Sequence, residues 1–277
     1  MTRRIAVMVK VVPKPEEVSL DEESMTIDRE DADSQLNPAD KNAVELALEL
    51  QEAAGEAPEG GSGDAGGEAV EVVAVSMGPP FVEAQLQDVV AMGADDAYLL
   101  SDRAFAGADT YPTSMVLAGA VEEIGDVDLV LCGEESSDSS TGQVPPGIAE
   151  WLDAAQVTYV EEAELTDGRL RATRSVSSGS ETVSVPLPAV GSVEYGSNEP
   201  RFPDFKRKRW AEKEWEATVW DHTDIDVDED ALGREGSHTE VTTLETMSGP
   251  EREGEWLEGD PETQAAAIAD VLAERVE

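Results

Sequence analysis

Four short apolar runs, spaced by stretches of helical period, constrain this chain more than any other feature. Ile5 to Val12 (IAVMVKVV), Val70 to Val75, Ala97 to Leu100 and Leu129 to Cys132 are rich in valine and leucine and too short for helices. Near-continuous apolar character, without alternation, is what a central strand covered on both faces requires. Between the runs lie helical patterns: Ala43, Val44, Leu46, Ala47 and Leu50 in the first, then about 81–92, then about 109–124. Asn37 as N-cap and Pro38 at the first helical position mark the start of the first helix. Strand and helix alternating in this way predict right-handed βαβ units and a parallel sheet with helices on both faces, an α/β fold. Ligands of such sheets bind beyond the carboxyl ends of the strands, at a topological switch point.

The fourth run opens the stretch DLVLCGEESSDSSTGQVPPGIAEWL, residues 128–152. It reads as a strand, a loop of small and hydroxylated residues from Gly133 to Gly142, and a helix beginning near Gln143. The first N–H groups of a helix lack partners and carry the positive end of its dipole, so this arrangement can hold an anion such as phosphate. Ser139, Ser140 and Thr141 add hydroxyl donors, and Gly142 permits close approach of the backbone. A plain N-cap by Ser140 or Thr141 accounts for the same residues without a ligand. Beyond Trp151, shorter strands over 157–163, 169–176, 181–186 and 189–193 predict a meander extending the sheet edge. Residues 13–36 read as an irregular excursion with a hairpin around SMTIDRED, 55–67 as a flexible loop, and 221–260 as an extended acidic arm. Pro261 to Val276 is an amphipathic helix that Asp260 can cap and that must dock on something to be stable. The expected organisation is an α/β domain over 1–215 followed by an acidic arm and docking helix over 216–277.

Net charge is −43, from 62 acidic and 19 basic residues, which argues against nucleic acid or an anionic membrane as partner. The acidic residues spread over every helix face, as in adaptation to the molar salt of a halophilic archaeal cytoplasm. Six of the 19 basic residues fall between Arg201 and Lys213, beside Phe202, Phe205, Trp210 and Trp215. Arginine and aromatic residues anchor interfaces, so this segment is expected to dock a partner; the alternative is a helix neutralising the chain's own surface. The single cysteine, Cys132, allows no internal disulfide, and His222 and His238 show no ligand spacing, so no metal site is expected. No nucleophile stands beside a base, so no catalytic residue is assigned. The opening MTRRIAVMVKVV reads as a strand and not a signal peptide, and no apolar run reaches the roughly 20 residues of a membrane span, which together predict a cytoplasmic protein.

Several stretches in combination resemble the beta subunit of electron transfer flavoproteins. They are VMVKVVPKPEEV, LNPADKNAVELALEL, VVAVSMGPP, VAMGADDAYLLSDRAFAGADT, DLVLCGEESSDSSTGQV and VPLPAVGSVEYGSNEPRFPDFKRKR, in family order over about residues 3–215. The resemblance implies a nucleotide-binding fold of the adenine-nucleotide alpha-hydrolase-like type over 1–215. It also implies a heterodimer with an alpha subunit and electron traffic through FAD, from acyl-CoA or other dehydrogenases to a quinone reductase or ferredoxin. The chain would then be a carrier and not itself an enzyme. The implied nucleotide site comprises Met8, Lys10, Asn37, Ala39, Asp40, Ser76, Met77, Gly78, Gly133, Asp138, Thr141, Gly142, Gln143 and Val144. In it, Thr141 and the amides of 142–144 would meet phosphate, Asp138 and Asn37 would bond hydroxyls or adenine, and Met8 and Met77 would be soft walls against the ring. The compact DSSTGQV resembles family members that hold a second FAD and bifurcate electron pairs; members with a longer loop hold AMP, which is the alternative ligand. Ser139 and Ser140 stand where Gly-Asp is usual, and Glu134 where Lys is usual. The NEPR motif implies a recognition segment, 194–213, in which Tyr195, Gly196, Ser197, Asn198, Glu199, Pro200 and Arg201 face partner dehydrogenases. A non-redox adenine-nucleotide sensor of the same architecture is the competing function.

Overall fold

Ile5, Ala6, Val7 and Met8 are each at most 5% exposed, as a strand with helices on both faces must be. They lie in a computed structural model that describes residues 3–14, 19–21, 26–28, 34–55, 69–243, 254 and 256–274. In chain order the elements are β1 (Arg3–Met8), β2 (Val11–Pro13), β3 (Ser19–Asp21), β4 (Thr26–Asp28), β5 (Ser34–Leu36), α1 (Pro38–Gly55), β6 (Val70–Met77), α2 (Glu83–Met92), β7 (Asp96–Leu100), α3 (Thr110–Ile124) and β8 (Leu129–Gly133). They continue with α4 (Val144–Trp151), β9 (Ala155–Thr166), β10 (Arg169–Val176), β11 (Gly179–Pro186), β12 (Ala189–Val193), α5 (Phe205–Glu214), β13 (Thr218–Trp220), α6 (Gly233–Gly236) and α7 (Pro261–Glu274).

The main sheet has nine strands in the order β11-β10-β9-β12-β8-β1-β6-β7-β13. β1 runs parallel to both neighbours, with Ile5 opposite Val72 of β6 and Leu129 of β8. The chain builds outward through β6 and β7, then α3 carries it back to β8 on the other side of β1, so strand order reverses between β1 and β8. Ile5 and Val7 pack with Val44, Leu48, Leu86 and Val90 of α1 and α2, whereas Ala6 and Met8 pack with Met115, Val116 and Ile148 of α3 and α4. Each fully buried Ile or Leu contributes about 1.5–3 kcal/mol. An exposed ion pair such as Arg171–Glu164, both side chains more than half exposed, contributes under about 1 kcal/mol, so the two apolar layers hold the fold.

Several expectations change in detail. The first run is not one strand to Val12: β1 ends at Met8, and Val11–Pro13 becomes β2, antiparallel to β5. The break comes where Lys10 donates its N–H to Asp40 and accepts the Asn37 N–H at its carbonyl, which draws the chain off the sheet. The hairpin expected near SMTIDRED is seen as β3 and β4, with Leu20 opposite Ile27. The loop over 55–67 lies outside the described residues from 56 onward. β9, β10 and β11 form the meander, and β9 turns into β10 through Asp167 and Gly168 at φ of 53° and 71°, the type I′ geometry that suits twisted strands. β12 is not its fourth strand; it runs parallel between β9 and β8, with all five residues buried.

Residues 216–241, expected in an extended arm, pack as part of the first compact unit, Met1–Val241. There β13 adds a parallel strand beside β7, and Ile225 and Leu232, each 6% exposed, join the apolar layer of α3. The second unit, Thr242–Glu277, contains α7, whose start is capped as expected by Asp260 accepting the N–H of Thr263 at 2.9 Å. No helix among the described residues is long and apolar enough to cross a membrane.

Candidate functional site

The strands β1, β6 and β8 end together, with Met8 level with Val75 and Cys132, and α1 starts directly beyond them. This is the switch point of the sheet, where a crevice opens between diverging crossovers. Asp40, only 6% exposed, joins three segments there: its carboxylate accepts from the Lys10 N–H at 2.7 Å, the Gly133 N–H at 3.2 Å and Asn37 Nδ2 at 2.9 Å. Burial pushes its carboxyl up to about 7, against the pull of those donors. Gly133 is needed for this contact. A Cβ on it would stand 2.4 Å from Asp40 Oδ1 and 2.8 Å from Ala39 Cβ, so Ala39 is the wall on which the end of β8 rests.

The loop after β8 is fastened from within. Asn37 donates from Nδ2 to the Glu135 carbonyl at 2.9 Å and accepts the Ser137 N–H at 3.1 Å. Lys10 Nζ donates to Asp138 at 2.6 Å and to Ser136 Oγ at 3.2 Å, and the Asp138 side chain is only 2% exposed. Asn37 and Asp138 were expected to offer hydrogen bonds to a ligand's hydroxyls or adenine. In the structure both spend them on the loop and on Lys10, because a loop of small residues needs such ties to hold one shape. Ser140, at φ 47°, donates to the Ser136 carbonyl at 3.4 Å, and α4 starts at Val144 with Gln143 as an N-cap that makes no side-chain bond. A plain N-cap by Ser140 or Thr141 is therefore not the role of these residues. Thr141 is exposed, and Gly142 at φ 61° turns the chain into α4. Gln143 Oε1 accepts from Thr110 Oγ1 at 2.9 Å, which ties the start of α4 to the start of α3. Thr110 was not singled out from sequence, although it lies in the GADT that carried the family resemblance.

On the other side of β1, Ser76, Met77 and Gly78 end β6. The Ser76 hydroxyl is buried and has no partner among the described residues, and Gly78 gives its N–H to the Leu100 carbonyl at 3.0 Å. The Lys10 ammonium, the exposed Thr141 hydroxyl and the N–H groups of Gly142, Gln143 and Val144 form a donor set that fits a phosphate-bearing nucleotide, although Pro145 and Pro146 leave the first turn of α4 no further N–H to offer. The structure thus brings Lys10, Asn37, Ala39, Asp40, Gly133 and Asp138 into direct contact. Met8 and the 76–78 turn stand beside them at the strand ends, and Thr141 to Val144 form the outer rim.

Residues 195–201 lie along α1. Asn42, 2% exposed, accepts the Gly196 N–H at 3.2 Å and donates to the Asn198 carbonyl at 2.8 Å, and Asn198 Nδ2 returns a bond to the Asn42 carbonyl at 3.0 Å. Arg201 was expected to face a partner. Instead its guanidinium bonds Glu45 at 2.8 Å and Glu52 at 2.6 Å, because Glu45, with a side chain 8% exposed, requires a counter-charge. Those carboxylates drive the guanidinium pKa still higher. What the segment presents outward is aromatic: Tyr195 is 65% exposed and Phe202 92%. In α5, Arg207 bonds the Val90 and Ala94 carbonyls and Lys208 pairs with Asp88 at 2.7 Å, while Phe205, Lys206, Arg209 and Lys213 are exposed.

One cluster had no sequence signal. His222 Nδ1 lies 2.5 Å from Asp102, 120 residues away, and Asp221 is close enough that the three side chains could share an ion. Each is engaged already: Asp102 also caps Ala104, and Asp221 bonds Thr223. The Ala104 amide, then His222, hold the Asp102 carboxyl down to about 2. Cys132 is buried beneath the site, and burial pushes its thiol far up, so it is no nucleophile.

Residues 24–224 match the model of the electron transfer flavoprotein domain. The electron transfer flavoprotein subunit beta of Thermoanaerobacterium thermosaccharolyticum is 39% identical over 256 residues, 92% of each chain. A protein of Acetobacterium woodii named caffeyl-CoA reductase-Etf complex subunit CarD is 38% identical over 251 residues, 91% of this chain and 90% of that one. Protein FixA of Azotobacter vinelandii is 32% identical over 279 residues, 97% of this chain and 94% of that one.

Proposed function

The chain belongs to the electron transfer flavoprotein family, among its beta subunits, and from that premise we propose that it forms a heterodimeric electron carrier with an alpha subunit, holding FAD at the β1–β8 switch point. The observation that carries this reading is the meeting of Lys10 with the loop between β8 and α4 at the strand ends, where its ammonium reaches Ser136 and Asp138. Thr141, Lys10 and the amides of 142–144 would hold the pyrophosphate, Gly142 would allow its close approach, and Met8 and Met77 would flank the ring. When bound, the flavin takes up and passes on the electrons, and the chain supplies position and electrostatics. One relative's name places it in a caffeyl-CoA reductase complex, so service to a reductase belongs to the same reading; bifurcation of electron pairs is part of it on the compact DSSTGQV loop alone. Electrons would enter from an acyl-CoA or other dehydrogenase docked at Tyr195 and Phe202, and leave to a quinone reductase or ferredoxin.

The test is to co-express the chain with its alpha partner, purify the complex in molar KCl, release the ligands by heat and count them. Two FAD and no AMP per heterodimer is the expected result. One FAD with one AMP would assign the pocket to a structural nucleotide, and a colourless monomer that binds only AMP or ATP would favour a sensor. Absence of any nucleotide would remove the pocket assignment.

A further inference from the structure

α1 is an apolar helix that buries three polar side chains within two turns, Asp40, Asn42 and Glu45. A buried polar group left unpartnered is costly, and each of these finds its partners in a segment remote in sequence. Asp40 holds the ends of β1 and β8 through the Lys10 and Gly133 amides. Asn42 and Glu45 hold the segment 196–201 through Gly196, Asn198 and Arg201. Asp40 and Glu45 are about 7.5 Å apart along the axis at 1.5 Å per residue. There is no slack at the pocket end, where a Cβ on Gly133 would come within 2.7 Å of the Ala39 carbonyl carbon. A second tie runs beside the helix. Glu134, the first residue after β8, gives its N–H to the Val193 carbonyl at 2.9 Å, and β12 leads from Val193 directly into Tyr195. Burial pushes the Glu134 carboxyl up while the backbone N–H of Tyr195 pulls it back, so the side chain reaches the same segment.

Resting on the pocket and docking assignments above, we propose that nucleotide occupancy sets the order of the docking segment 195–202, with Asn42 and Glu45 as the positioning residues that transmit it. A nucleotide that braces the loop 133–144 also braces Tyr195 and Phe202 for a partner. By linkage, a docked partner tightens the nucleotide by the same factor.

Amide hydrogen exchange on the purified complex tests this, after nucleotide removal and again after return of FAD or AMP as probe. Exchange is expected to slow by roughly five-fold or more at both 133–144 and 195–202. In Asn42→Ala the slowing persists at 133–144 and is lost at 195–202, with probe affinity within about two-fold of the parent. Glu45→Gln, which keeps the side-chain shape, gives an intermediate loss and serves if the alanine variant does not fold. Slowing confined to 133–144 in the parent chain overturns the coupling while leaving the pocket standing. No slowing at either segment overturns the pocket assignment and the coupling with it.

Discussion

At Asp40 a carboxylate that burial disfavours is kept in place by donors from three segments, and this has a consequence in pH. Its folded pKa of about 7 lies above the ordinary 3.8, so the folded chain takes up this proton before the unfolded one does. The stability linked to Asp40 therefore rises as pH falls from about 7 toward 3.8, and is lost as pH rises through 7. Asp40→Asn removes the titration, so the parent chain's stability relative to this variant should be greater at pH 5 than at pH 8 when both are unfolded by denaturant in molar salt. Gly133→Ala forces a methyl against Ala39 and Asp40 and should cost about 1–3 kcal/mol, with lower nucleotide content in the purified complex. Arg201→Glu removes the counter-charge of Glu45 and adds a like charge. Because Arg201 is 32% exposed, the cost falls below the 3–5 kcal/mol of a fully buried pair, to about 2–3 kcal/mol, with Glu45→Arg in the same chain restoring part of it. Loss of electron transfer in Arg201→Glu alone therefore would not identify a docking contact. Tyr195→Ser and Phe202→Ser should reduce transfer from the dehydrogenase with stability changed by no more than about 0.5 kcal/mol. That Lys10, Asn37, Asp40, Gly133 and Asp138 belong to one place was legible through the family resemblance, but side-chain direction was not. Nothing in NEPR says that its arginine turns inward, since that depends on Glu45, 156 residues away.

Among the elements, those with a strong local signal were legible and those made by distant pairing were not. α1 announced itself through Asn-Pro and its apolar spacing, and β8 and the start of α4 came within a residue of their observed bounds. β13 is three residues long, too short for any period, and becomes a strand only because the edge of β7 is open to it. The segment that follows read as a solvated arm because it is acidic, yet its few apolar residues, Ile225 and Leu232, are the ones that pack. His222 fastens this segment to Asp102. Its pKa is raised, first by the hydrogen bond to Asp102, so its contribution is full below the unfolded value of 6.5 and fades as pH rises through the folded one. Asp102, held at about 2, loses its own contribution only in strong acid. In His222→Gln the deficit in unfolding midpoint should be largest near pH 5 and shrink above pH 7, with exchange of the 218–224 amides faster at pH 5. A deficit independent of pH would mean that the ring packs there without pairing.

For the molecule as a whole, the apolar layers and the charge pull in opposite directions. A net charge of −43 on 277 residues is a self-repulsion that the core must overcome, and its size depends on solvent in a way the core does not. The Debye length falls from about 10 Å at 0.1 M salt to about 3 Å at 1 M, shorter than the distance between most surface carboxylates. Ion pairs cannot do the same work here, because 62 acidic residues face only 19 basic ones, and several of those are already spent on fastening α5 and residues 196–201. The fold should therefore depend on salt. Its melting temperature is expected to rise by about 10 °C or more between 0.1 M and 2 M KCl, a change of roughly 3–5 kcal/mol at the 2–4 °C per kcal/mol typical of a domain this size. Most of that rise should come below 1 M, where screening changes fastest. A melting temperature that is flat over this range would show that the acidic surface is solvated without strain and is no adaptation to molar salt. A rise that continues steeply above 1 M would point past screening to strengthened apolar burial, since the charges are already shielded there. The same titration bears on docking. A partner drawn to the exposed Lys206, Arg209 and Lys213 by charge would lose on-rate as salt rises, whereas one held by Tyr195 and Phe202 would not, so dehydrogenase turnover that persists at 2 M KCl would assign the contact to the aromatic residues.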